Sequence, residues 1–149
     1  MRYAVALILL LISIPAHALD LSFGPDVTHA KGKTLLELSY SGKQWPHWRV
    51  SAGFIGSIPE AGIEIYQTFF HGKAEAGLGI NYSEANDIVS TDWKYRIRIA
   101  WNASEHWGAT YLHFSNGQTA LKETFLPHGE NGINYGYNFV LGVYRFKTQ

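Results

Sequence analysis

The chain has 149 residues, with 12 basic residues, 12 acidic residues and no cysteine. The lack of cysteine excludes disulfide bonds, thiolate catalysis and cysteine-ligated iron–sulfur sites from this chain, and a net charge of zero without a basic run argues against nucleic acid as a partner. Glycine and the three aromatic residue types are abundant, which is typical of bacterial outer-membrane barrels.

The first residues have the pattern of a secretory signal peptide. Arg2 gives a short positive region, Ala4 to Ile14 form an apolar run, and Ala16-His17-Ala18 is a small-x-small cleavage site. The apolar run is too short to span a bilayer. We therefore expect residues 1–18 to be removed on export and residues 19–149 to form a single barrel domain in the outer membrane of a Gram-negative bacterium.

Eight segments alternate in polarity with a period of two, which is the period of β-strands. In the clearest one, Trp93 to Trp101, aromatic residues and isoleucines on one face oppose Lys94, Arg96 and Arg98 on the other. Such a strand suits a barrel with lipid outside and a polar lumen inside. The segments are Leu19–Gly24, Leu36–Tyr40, His47–Phe54, Ala61–Phe70, Ala74–Tyr82, Trp93–Trp101, His106–Asn116 and Asn134–Val143. They predict an all-β, eight-stranded antiparallel transmembrane barrel.

The predicted connections alternate in length. The short ones are Gly42–Pro46, His71–Lys73 and Ser104–Glu105, and the longer ones are Pro25–Lys33, Ser83–Asp92 and Gly117–Ile133. Short periplasmic turns and longer outside loops are typical of outer-membrane barrels. The third connection, Gly56–Glu60, is short for an outside loop. Because side chains fill the interior of an eight-stranded barrel, bulk transport is not expected.

The last segment is predicted to turn its aromatic side chains toward lipid. The predicted lipid-facing residues are Tyr135, Tyr137, Phe139, Leu141 and Val143, and the predicted lumenal residues are Asn134, Gly136, Asn138 and Gly142. In the lumen, Arg96 and Arg98 are expected to form ion pairs with Glu64 and Glu75.

The stretch Tyr111–Gly117, YLHFSNG, places a histidine and a serine two residues apart near the outer end of the seventh segment. Side chains two apart on a strand share a face, here the predicted lipid face. An imidazole that takes the serine proton would make His113 a base and Ser115 a nucleophile. Asn116 could donate to an oxyanion, and Gly117 could let backbone N–H groups converge there. The same residues are also compatible with an ordinary strand that runs into a turn.

The stretch HFSNG, followed by NGIN and a closing aromatic strand, resembles the lipid A 3-O-deacylase (PagL-like) family. The similarity covers the last two strands and their loop, Trp107–Phe146. It implies an eight-stranded outer-membrane esterase that hydrolyses the ester-linked hydroxyacyl chain at position 3 of lipid A in lipopolysaccharide. It also implies that His113 is the base, Ser115 the nucleophile and Asn116 an oxyanion-hole contributor, with lipid A and outer-membrane lipid as partners and without a cofactor.

The third member of the triad departs from the family's pattern. The family has a glutamate after a Gly-Ile pair, and this chain has Asn134 there. An asparagine can orient an imidazole but cannot stabilise an imidazolium by charge. Glu130 and Glu123 in the preceding loop are the alternative acids. Asn134 ranks first by alignment, and Glu130 ranks second by chemistry.

Other functions stay open on the sequence alone. One alternative is a non-enzymatic barrel, structural or adhesive, in which His113 and Ser115 merely end a strand. Another is a catalytically impaired family member, in which the missing acid would explain the loss of activity. A palmitoyltransferase-type barrel would need an apolar lumen, which Lys94, Arg96 and Arg98 disfavour. The remaining histidines are scattered without a carboxylate cluster, so no metal site is expected. A homodimer remains an open alternative.

Overall fold

The protein is a closed barrel of eight antiparallel strands, in which each strand pairs with its sequence neighbours and the first pairs with the last. The computed structural model describes residues 18–28, 32–42, 45–86, 88–89, 91–115 and 136–146. The strands are β1 Ala18–Pro25, β2 Thr34–Gly42, β3 His47–Ile55, β4 Ile58–Phe69, β5 Ala74–Ser83, β6 Trp93–Asn102, β7 Trp107–Ser115 and β8 Gly136–Phe146. None of those residues belongs to a helix long and apolar enough to cross a membrane. The predicted eight-stranded β-barrel is confirmed. Of the predicted signal peptide, Ala18 begins β1 and residues 1–17 lie outside the described residues.

The connections differ in length between the two ends of the barrel. One end carries the connections 26–33, 56–57, 84–92 and 116–135, and the other carries 43–46, 70–73 and 103–106. The predicted alternation is confirmed, including the short third connection, which is a two-residue turn. Gly56 in that turn has a φ of 62°, a conformation that favours glycine. We call the end with the longer connections the long-loop end.

Every charged side chain of the described strands lies on the interior side of the barrel. These are five acids and five bases: Asp20, Glu37, Glu60, Glu64, Glu75, Arg49, Lys94, Arg96, Arg98 and Arg145. Buried charges are stable only when they are paired and hydrogen-bonded. Glu37, Glu64 and Glu75 pair with the arginines of β3 and β6, and Asp20 pairs with Arg145. Lys94 Nζ instead donates to Ser83 Oγ and to nearby backbone carbonyls. These buried charges fix which face of each strand points inward.

Glu64 is the centre of the buried ion-pair network. Its carboxylate lies 2.7 Å from Arg49 Nη1, 2.7 Å from Arg96 Nε and 2.9 Å from Arg98 Nε. The predicted pairing of Arg96 and Arg98 with Glu64 is therefore confirmed. The predicted pairing of these arginines with Glu75 is wrong, because Glu75 lies 2.6 Å from Arg49 Nη2. Arginines 96 and 98 instead share a second carboxylate, that of Glu37.

The interior beside β7 and β8 is apolar, in contrast to the charged part. The buried cluster joins residues of these two strands to Leu35 of β2, Ile55 of β3 and Val89, and its members on β7 and β8 are Leu112, Phe114, Tyr137, Phe139 and Leu141. The ring of Phe139 packs 5.8 Å from that of Phe114 and 5.3 Å from that of Tyr137, measured between centroids. The guanidinium carbon of Arg96 lies 5.4 Å from the Phe114 ring centroid, where the charged and apolar parts meet.

The predicted orientation of the last strand is wrong. Its interior residues are Tyr137, Phe139, Leu141 and Val143, all buried, whereas Asn138 lies on the outer face, as do Gly136 and Gly142. The physical reason lies on the neighbouring strand. Because Leu112 and Phe114 of β7 point inward, they make this side of the lumen apolar, and the aromatic residues of β8 pack against them.

The outer face of the barrel is apolar over most of its area. Phe23, Ile65, Leu78, Trp93 and Ile99 are each more than half exposed on it. No charged side chain of the described strands shares this face. Water-soluble proteins expose their charged residues and bury their large apolar ones, so this distribution is inverted. One hydrogen-bonded group of polar side chains interrupts the apolar face, near the long-loop end of β7 and β8.

Candidate active site

The pairing of β7 with β8 brings the histidine and serine of β7 next to two residues of β8. In the register, His113 is opposite Asn138 and Ser115 is opposite Gly136. Directly opposed residues of antiparallel strands point to the same side of the sheet. All four therefore share the outer face at the long-loop end. His113 and Asn138 are partly buried, and Ser115 is buried.

Asn138 orients the imidazole of His113. Its Oδ1 lies 2.8 Å from His113 Nδ1, and the hydroxyl of Tyr111 donates to the same oxygen. A carboxamide oxygen can only accept hydrogen bonds, so this contact assigns the proton of the neutral imidazole to Nδ1. Nε2 then carries the lone pair, and an imidazole in this tautomer can act as a general base.

Gly136 leaves open space next to both His113 and Ser115. A Cβ atom at Gly136 would lie 3.0 Å from His113 Cε1 and 3.5 Å from Ser115 Cβ, so the two side chains border one point. The same Cβ would lie 2.5 Å from the carbonyl oxygen of Phe114, a distance that real Cβ atoms do not adopt. A side chain at this position would therefore clash with the backbone of β7 and crowd the imidazole.

The end of β1 holds Asn138 from the other side. Asp26 forms an isolated bridge with Phe139, and the backbone N–H of Val27 donates to the carbonyl of Asn138 at 2.8 Å. The backbone N–H of Asn138 donates to Asp26 Oδ1 at 3.2 Å, and its side-chain Nδ2 donates to Thr28 Oγ1 at 2.5 Å. Each polar group of Asn138 therefore has a partner.

No known protein family, curated protein or solved structure matches this chain. What the site can do is therefore argued from its own geometry. A serine hydroxyl beside an imidazole that can accept a proton is the pair that nucleophilic acyl transfer requires. Asn138 fixes the imidazole as the third member of a triad does, but its carboxamide contributes no negative charge. Within the described ranges, no three His, Asp or Glu side chains come together as a metal-binding group.

The structure brings together part of the site predicted from the sequence. His113 and Ser115 share the outer face, as their spacing predicts. Five other predicted residues lie outside the described residues: Asn116, Gly117, Glu123, Glu130 and Asn134. The roles predicted for them in the oxyanion hole and the triad stay predictions. The described partner of His113 is Asn138, which the sequence interpretation had assigned to the lumen.

Sequence reasoning also missed Tyr111, Asp26 and Thr28. The sequence does indicate that Tyr111 shares a face with His113, since it lies two residues before it on the same strand. Asp26-Val27-Thr28 is a sequence in which an aspartate can accept from the backbone two residues on, and Thr28 N donates to Asp26 Oδ1 at 3.0 Å. Such a turn signal does not reveal which strand the turn will contact.

Proposed function

We propose that this chain is an outer-membrane esterase that hydrolyses the ester-linked hydroxyacyl chain at position 3 of lipid A. The observation that carries the proposal is the position of His113, held by Asn138 with Nε2 as its acceptor, beside Ser115 on the apolar outer face. A hydrolase of a membrane lipid needs its nucleophile on the surface that contacts lipid. The resemblance of the HFSNG stretch to lipid A deacylases supplies the substrate class.

The inverted distribution of charge supports a location in the outer membrane. Ten charged strand residues lie inside the barrel and none lies on the outer face of the described strands. A closed barrel also satisfies its backbone hydrogen bonds without exposing an edge, as a lipid environment requires. The site lies at the long-loop end, which in outer-membrane barrels is the cell exterior. Lipid A occupies the outer leaflet, so this orientation would put the face that bears Ser115 in the same leaflet, and the buried hydroxyl would have to be uncovered for the ester to reach it.

The chemistry proceeds through an acyl-enzyme. Ser115 Oγ attacks the carbonyl carbon of the ester while His113 Nε2 takes the hydroxyl proton. The tetrahedral intermediate collapses as His113 returns that proton to the leaving sugar oxygen, which frees the deacylated lipid. Water then attacks the acyl-enzyme with His113 again as the base, and the hydroxy fatty acid and Ser115 are released. Asn138 and Tyr111 keep the ring in place through both steps.

The experiment that tests the proposed activity is mass spectrometry of lipid A from cells that express the wild-type chain or the Ser115→Ala variant. We expect the loss of one hydroxyacyl mass with the wild-type chain only. Thr110→Ser is a matched control, because Thr110 is on β7 but points inward, and lipid A should be deacylated as with the wild type. Unchanged lipid A with a folded wild-type barrel in the outer membrane would overturn the proposal.

The proposed membrane location has its own test. Leu78 lies in the middle of β5 and is 63 % exposed on the apolar face. A Leu78→Arg substitution would place a charge near the bilayer midplane and cost about 2–4 kcal/mol of stability in lipid. Thr34→Arg at the end of β2 is the control and should cost less than about 1 kcal/mol. Equal unfolding midpoints of the two variants in lipid vesicles would contradict a transmembrane barrel.

A catalytically impaired member of the same family is the second candidate. The observation that favours it is the neutral carboxamide of Asn138 at the position where a triad has an acid. An impaired enzyme would leave lipid A unchanged in cells, yet Ser115 should still react with a fluorophosphonate, which bonds to serine Oγ through phosphorus and loses fluoride. A non-enzymatic barrel would show neither lipid deacylation nor labelling of Ser115.

A further inference from the structure

We propose that Asp26 and Thr28, at the end of β1, are positioning residues that set the tautomer of His113 through Asn138. This inference rests on the proposed function, because it assigns a role within the same site. Neither residue contacts the serine or the substrate in this arrangement. Their effect passes through one side chain, the carboxamide of Asn138.

The carboxylate of Asp26 accepts from two backbone amides, one in the connection that follows β1 and one in β8. Its Oδ1 accepts from Thr28 N at 3.0 Å and from Asn138 N at 3.2 Å. Asp26 is buried, and a hydrogen bond to an ionised, buried acceptor is stronger than one between neutral groups. This carboxylate therefore fixes where Thr28 stands relative to Asn138.

Thr28 is then placed to hold one end of the Asn138 side chain. Its Oγ1 accepts a hydrogen bond from Asn138 Nδ2 at 2.5 Å. A carboxamide has a donor end and an acceptor end, so a partner that takes Nδ2 leaves Oδ1 for the opposite side. On that side are His113 Nδ1 and the Tyr111 hydroxyl. In this arrangement Thr28 holds the carboxamide with Oδ1 toward the histidine.

The orientation of the Asn138 side chain matters because its two ends differ. A carboxylate presents an acceptor to His113 whichever way it is rotated, but a rotated carboxamide would present its NH2 group. His113 would then accept at Nδ1 and carry its proton on Nε2, where it could not act as the base for Ser115. An aspartate at position 138 would need no such contact, whereas Asn138 keeps Oδ1 toward His113 as long as Thr28 Oγ1 accepts from Nδ2.

The test is nuclear magnetic resonance of the full barrel in detergent with 15N-labelled histidine, read together with the rate of lipopolysaccharide deacylation. The His113→Gln variant identifies the signals of His113. In the wild type we expect Nδ1 protonated and Nε2 bare. Asp26→Ala should move His113 to a mixture of tautomers and lower the rate roughly tenfold. Asp26→Asn keeps an oxygen acceptor for both amides and should restore both measurements.

Two further variants separate positioning from folding. Thr28→Val keeps the shape of the side chain and leaves Asp26 intact, so it should shift the tautomer even if Asp26→Ala fails to fold. Asp92→Ala is the matched control, because Asp92 Oδ1 also accepts a loop amide, from Ala85 at 2.8 Å, in the connection between β5 and β6. It should change neither measurement.

The results discriminate between the two proposals. A lower rate in Thr28→Val with the wild-type tautomer would overturn the inference, as would an unchanged tautomer and rate in a folded Asp26→Ala barrel. Absence of deacylation in every variant, including the wild type, would refute the proposed function instead. The tautomer comparison would still decide whether Asp26 and Thr28 position the histidine.

Discussion

Replacing Asn138 with aspartate tests the proposed triad most directly. The new carboxylate would stand where Asn138 Oδ1 stands, 2.8 Å from His113 Nδ1. When His113 takes the serine proton it becomes a cation, which a carboxylate stabilises by charge as well as by hydrogen bonding. For charge centres about 4 Å apart in an effective dielectric of about 20, the attraction is ~4 kcal/mol.

Two effects reduce that attraction. Asp26 Oδ1 already lies 3.2 Å from the backbone nitrogen of residue 138, so the new carboxylate would have a like charge nearby. Asn138 is also partly buried, so the carboxylate would lose part of its hydration. If these effects remove half of the attraction, the barrier falls by ~2 kcal/mol, which corresponds to a roughly thirtyfold increase in kcat.

The assay is the release of hydroxy fatty acid from purified lipopolysaccharide by the folded barrel in detergent, analysed as kcat and KM. Asn138→Asp should raise kcat with little change in KM, since the gain appears only in the transition state. Asn138→Leu, of similar size but without hydrogen bonds, should lower kcat. Asn134→Asp is the matched control, because the resemblance to lipid A deacylases predicts that residue as the third member of the triad. An increase in kcat at position 134 and none at 138 would refute the reasoning.

Two further variants test the structure that supports the site. Glu64→Gln removes the charge that lies within 2.9 Å of three buried arginines, so the free energy of unfolding in urea should fall by about 3 kcal/mol. Glu60→Gln should cost much less, because its nearest guanidinium nitrogen is 3.9 Å away, and equal losses would contradict a network centred on Glu64. Gly136→Ala should abolish deacylation while the barrel still forms, since its methyl group would meet Phe114 and His113. Gly142→Ala, with only one atom 3.9 Å away, should be fully active, and an active Gly136→Ala enzyme would contradict the packing described here.

The strand number and most strand faces could be predicted because charge decides them. On β6, three cations alternate with large apolar residues. Burying them pairs Arg96 and Arg98 with Glu37 and gives Lys94 Nζ four oxygen acceptors. A slip by one residue would turn all of them toward the apolar side. The inward and outward faces of a strand can therefore be predicted wherever the strand carries a charge near its middle.

The orientation of β8 could not be predicted by the same rule. Near its start one face carries Tyr137, Phe139 and Leu141 and the other carries Gly136 and Asn138, and its one charged residue, Arg145, lies near the other end. The rule that apolar residues face outward fails here because the lumen has its own apolar cluster. The partner strand contains the missing information: with Leu112 and Phe114 pointing inward, the register places Asn138 outside, opposite His113. Strand register depends on contacts between distant segments, which periodicity within one segment does not report.

The placement of the acids explains why an asparagine holds the histidine. Glu37, Glu64 and Glu75 lie inside the barrel and are paired with arginines, on the far side of the sheet from His113. Among the described residues, the acid hydrogen-bonded to this site is Asp26, and it accepts from the backbone N–H of Asn138, not from the imidazole. A hydrogen bond to Asn138 thus orients the imidazole, while the negative charge of Asp26 acts on Asn138 and has no direct contact with the imidazole. A site built this way should show a well-defined tautomer with a slow chemical step, and Asn138→Asp separates those two properties.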